Sequence, residues 1–144
     1  MITYQIDFTE KEYRTIQGSC RELLELKKLL FPEEAFLDCL GYLYTDADPE
    51  ASLCLAAIKE YGTFLGYKKK IQNTFMVQLS LYQKELLDEV ADVWGDGLEI
   101  SIGLFLPPQL AWNGICAFAD SGRLYHGIQW MGEEEIPEGG NYVI

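Results

Sequence analysis

His126 is the only histidine in the chain, so any Ser–His or Cys–His catalysis would have to run through it. The spacing offers it one partner. Asp120-Ser121-Gly122 suits a turn between two strands, about 111–119 and 123–131, with Gly122 in the left-handed position. Ala119 then faces Arg123 and, counting outward, Cys116 faces His126. Cross-strand Cβ atoms lie about 4.5–5.5 Å apart, within reach of a thiolate–imidazolium pair. The same face would carry Trp112, Phe118, Leu124, Ile128 and Trp130, so it reads as core. A buried histidine with one bonded nitrogen is the better expectation there, since a nucleophile needs access to substrate. No catalytic residue is assigned.

Other chemistries fit less well. Asp46, Asp48 and Glu50 stand at calcium-loop positions 1, 3 and 5, but Ala51 replaces the required glycine and Ala57 the closing glutamate. Asp48-Pro49-Glu50 reads more simply as a helix start, with an N-cap and then proline at the first position. The chain has no GxxxxGK[ST] or GxGxxG phosphate loop, no HExxH and no His/Cys pair at zinc spacing. Neither a metal nor a cofactor is therefore expected. Lys68-Lys69-Lys70 reads as a solvated loop rather than an anion site.

The elements that would position these residues follow from periodicity. Ile2, Tyr4, Ile6 and Phe8 alternate as a strand. Thr9 and Glu12 form a capping box for a helix whose apolar stripe begins at Tyr13 and which runs to about Leu30. Pro32-Glu33-Glu34 and Asp48-Pro49-Glu50 open two further helices, and residues 63–73 form a loop. Thr74–Leu81 alternates again. Lys84–Trp94 reads as a helix with Leu86, Leu87, Val90 and Val93 inward. Leu98–Leu106 is a strand that Pro107-Pro108 ends, and the two hairpin strands follow. Tyr142-Val143-Ile144 could add an edge strand. The resulting fold class is α+β: about five mainly antiparallel strands (N-terminal, middle and C-terminal meander) with helices on one face. A single domain over 1–144, with an acidic Gly-containing tail at 132–144, accommodates the pattern.

Charge is the strongest signal. The chain holds 23 acidic and 11 basic residues among 144, a net of −12. Residues 71–144 carry −9 of that, and Arg123 is the only base after Glu85. On the expected helix Glu85, Asp88, Glu89 and Asp92 recur opposite the apolar stripe, with Asp96 and Glu99 following, and no lysine stands at i+4 to pair with them. Such a chain should not bind nucleic acid or anionic membranes directly. The N-terminus has no basic stretch followed by an apolar run, and the four cysteines form no CxxC, so reduced thiols in the cytoplasm are expected.

The reading is of a small acidic inhibitor or adaptor that binds a basic protein, such as a nuclease, through Glu85, Asp88, Glu89, Asp92, Asp96 and Glu99. An immunity protein, an antitoxin or a phage anti-defence protein presenting nucleic-acid-like charge would look this way. Two alternatives remain open. One is an enzymatic or small-molecule-binding domain with its site between sheet and helices. The other is a structural subunit that self-associates through Tyr142–Ile144 or a sheet edge.

Overall fold

A computed structural model describes residues 1–9, 14–93 and 97–144. In chain order the elements are β1 (Ile2–Phe8), β2 (Arg14–Cys20), α1 (Leu23–Leu30), β3 (Cys39–Thr45), β4 (Asp48–Ile58), β5 (Gly62–Ile71), β6 (Thr74–Leu81), β7 (Val90–Asp92), β8 (Glu99–Ser101), β9 (Phe105–Leu106), α2 (Pro108–Ser121) and β10 (Gln129–Gly132). Single 3₁₀ turns lie at Pro32–Glu34, Lys84–Leu86, Ile102–Leu104 and Glu133–Glu135. Eight strands form one antiparallel sheet in the order β10-β6-β5-β4-β3-β1-β2, with β9 beside β5, and β7 and β8 make a separate hairpin.

This corrects the expected five-stranded α+β layout: the molecule is mainly a large antiparallel sheet, and only two α-helices are described. The reason lies in β4 and β5. Ala51, Leu53–Ala57 and Thr63–Tyr67 are all buried, because the sheet is covered on both faces. A strand buried on both sides shows a continuous apolar run without alternation, which periodicity cannot distinguish from a helix or an irregular segment. Hence the expected helix after Asp48 is β4, and the expected loop at 63–73 is mostly β5.

The remaining corrections are local. The helix from Tyr13 to Leu30 divides into β2 and α1; the Thr9–Glu12 box falls partly outside the described residues. Glu25 caps α1 instead, its carboxylate accepting the amides of Arg21 and Glu22 at 3.0 and 3.4 Å. The second helix is only the turn at Pro32–Glu34. Lys84–Trp94 is a 3₁₀ turn followed by β7, with Trp94 outside the described residues, and Leu98–Leu106 is broken by the turn at Ile102. The expected C-terminal meander is absent: its strand at 111–119 lies within α2, and only 129–131 of its strand at 123–131 falls in β10. Tyr142–Ile144 adds no strand but packs on the core.

On one face of the sheet, α1 and α2 bury Leu26, Leu30, Trp112, Ile115 and Phe118 against Ile6, Leu43, Leu55 and Leu65. Strand side chains take up the carbonyls that the end of α2 leaves unpaired: Thr45 donates to Ala119 O and the Tyr67 hydroxyl to Gly122 O, both at 3.1 Å. On the other face, residues 84–93 and 97–106 fold over β4–β6 as a cap. Leu87, Ala91, Ile100 and Leu104 meet Cys54, Phe64 and Leu79, and Val143 and Ile144 join them.

Candidate functional site

The Cys116–His126 pairing does not form. Cys116 lies on α2, while His126 is exposed in the segment between α2 and β10. Cys116 lines an open groove of about 500 Å³ with Leu23, Asn113, Ala117, Asp120 and Tyr125. Burial pushes its thiol pKa up, opposite to the shift that makes a thiolate nucleophile. Burial likewise drives Cys39 and Cys54 to about 12, which keeps both thiols protonated. The calcium-like carboxylates are otherwise engaged. Asp46 holds the N-terminal ammonium at 2.9 Å, and Asp48 pairs with Lys69 at 2.8 Å. Lys68–Lys70 lies within β5 rather than in a loop.

The acidic residues come together by a different route from the expected helical stripe. Glu85 sits in the turn at Lys84–Leu86, Asp88 and Glu89 follow it, Asp92 is on β7 and Glu99 on β8; all five are exposed. Asp96 lies outside the described residues. Antiparallel pairing of β7 with β8 sets Asp92 directly opposite Glu99, a like-charge pair that unfavourable repulsion would otherwise separate. Asp92 also accepts the amide of Gly97 at 3.1 Å, so it shapes the hairpin as well as charging it.

Sequence spacing missed how the chain's last residues join this surface. Ser101 Oγ donates to Leu87 O at 2.7 Å and accepts Asn141 N at 2.9 Å, and Ser101 N donates to Asn141 O at 2.8 Å. These bonds lay residues 136–141 along the cap. Glu135 and Pro137 then line a groove of about 350 Å³ with Lys84, Glu85, Leu87 and Asp88. Glu133 accepts the Tyr142 hydroxyl, a bond that, with burial, raises that phenol to about 12. The run Glu133-Glu134-Glu135 was the available signal, but composition alone could not place it beside Glu85.

The cap is therefore apolar inside and acidic outside. The three ion pairs formed among the described residues, Met1–Asp46, Lys27–Glu34 and Lys69–Asp48, all lie elsewhere. Chemically, the surface can attract and orient a cation or a cationic side chain. Among the described residues no cluster of His, Cys, Asp and Glu is arranged to hold a metal ion. No described helix is long and apolar enough to cross a membrane. No protein-family model, curated protein or solved structure matches the chain.

Proposed function

We propose that the chain is a small inhibitor or adaptor that docks a basic protein on its acidic cap. The observation that carries this reading is the exposed carboxylate surface of Glu85, Asp88, Glu89, Asp92 and Glu99 beside Glu135, held on a folded element whose inner side is buried. Fixed carboxylates steer a cationic partner and set its orientation with less ordering cost than a mobile acidic tail. A nuclease or another nucleic-acid-binding factor is the partner class whose own surface complements such a cap, as an immunity protein, antitoxin or phage anti-defence protein would require. The four free cysteines suit a reducing cytoplasm.

The test is capture of partners from the native host at low salt, followed by association kinetics with each purified partner. Replacing Glu85, Asp88 and Glu89 together by lysine should slow association by about tenfold or more and leave the fold intact, because all three side chains are exposed. Asp92 is best left in place, since Gly97 uses its carboxylate. Association of the parent should also slow as salt rises. A complex whose on-rate ignores both salt and the reversals refutes the proposal.

A further inference from the structure

The two edges of the main sheet are built differently. β10 is four residues long and runs straight into Glu133-Glu134-Glu135, so its edge is short and guarded by charge. β2 is seven residues long, and its outer side has no partner among the described residues. It pairs with β1 without a bulge and contains neither proline nor lysine, the usual protections of an exposed edge. Its one charged residue, Arg14, lies over the Phe8 ring at 4.7 Å.

We propose that β2 is the dimerisation edge of this protein, pairing antiparallel with β2 of a second copy about a two-fold axis at Gln17. The strand is self-complementary in that register. Gln17 meets Gln17, Thr15 meets Ser19, and Ile16 meets Gly18. Pairs of the same kind already occur inside the chain, where β1 sets Gln5 against Gln17 and Thr3 against Ser19, the latter hydroxyls 3.3 Å apart. On the helical side, the Tyr4 side chain already fills the space beside Gly18, its hydroxyl 2.8 Å from where a Cβ would stand.

Charge favours a second copy at this edge. The sequence from Asp7 to Leu30, which holds β2 and α1, carries five acidic and five basic residues, so two chains of net −12 can meet here. The acidic cap lies over β4–β6, toward the other end of the strand order. Next to the edge, α1 packs against β2 and leaves Leu24 58% exposed beside Glu25 and Lys28.

Sedimentation equilibrium on the full chain over a wide micromolar range tests this, with circular dichroism to check folding. The parent should approach twice 16.4 kDa. Gln17→Lys and Gln17→Glu each place like charges on the axis and should raise the dissociation constant by about tenfold, whereas their equimolar mixture should recover a heterodimer. If both variants misfold, Thr15→Lys combined with Ser19→Glu sets opposite charges across the axis twice and should tighten the dimer. A parent that stays monomeric overturns the proposal and leaves the edge to an extended segment of some other protein. A dimer indifferent to charge at residues 15, 17 and 19 overturns it as well.

Discussion

Ser80 anchors the cap to the sheet, and Ser101 ties the two halves of the cap to the chain's last residues. β5 pairs with β6 as far as Gly66 and with β9 at Thr63 and Phe64, so the amide of Leu65 falls at the fork between two partners. Ser80 Oγ accepts that amide at 3.0 Å and donates to Leu104 O at 2.7 Å, both bonds fully buried. Ser80→Ala would leave a buried donor and a buried acceptor unpaired and should cost about 1–3 kcal/mol. Urea unfolding measures this directly: the midpoint should fall with the slope unchanged. Neither serine stands out in the sequence, since a lone serine in an apolar strand looks the same whether or not its hydroxyl bridges two elements. The Cys116–His126 expectation failed for a related reason. A residue pair has chemical meaning only once its elements are known, and α2 was assigned as a strand.

At the scale of elements, α2 shows what periodicity offered and what it obscured. Ala111, Trp112, Gly114, Ile115 and Phe118 are its buried positions, a helical stripe present in the sequence beside an equally readable alternation. Pro107-Pro108 ends β9 and also starts α2, where proline at the first position suits a helix. Gly122 closes α2 with φ 69° and donates its amide to Phe118 O at 2.7 Å. A Cβ there would stand 2.5 Å from Cβ of Asp48, the residue that pairs with Lys69. Gly122→Ala combines left-handed strain with that clash and should destabilise by roughly 1–3 kcal/mol. A melting temperature within a degree of the parent would show that β4 can yield at Asp48. Hairpins were harder to read. β1 was legible from its strict alternation, whereas β2, with only Ile16, Gly18 and Cys20 facing inward, shared its apolar positions with a helical pattern that continues into α1.

For the whole molecule, composition reported charge and its asymmetry correctly but not the layering. The sheet carries helices on one face and an acid-coated cap on the other, and its central strands β4 and β5 send buried side chains into both cores. That double cover explains both the missed strands and the exposure of the cap's carboxylates, because the cap spends its apolar side chains inward. It also separates the two proposals in space. The basic partner is assigned to the cap and the second copy to β2, so reversal of Glu85, Asp88 and Glu89 should leave the dimer intact.

The doubly covered strands carry a further consequence, for the chain before it is folded. Until helices and cap are seated, Ala51–Ile58 and Gly62–Tyr67 present two neighbouring stretches rich in aliphatic and aromatic side chains, suited to stacking with other chains. Each is bracketed by residues that resist such stacking: Asp48-Pro49-Glu50 before β4, Lys59-Glu60 between the strands, and Lys68-Lys69-Lys70 at the far end. The lysine run should therefore act as a gatekeeper against aggregation. Replacing Lys68 and Lys70 by glutamine, with Lys69 kept for Asp48, should barely move the melting temperature. The yield of refolding from denaturant should nonetheless fall steeply with protein concentration, and light scattering during dilution would register the loss.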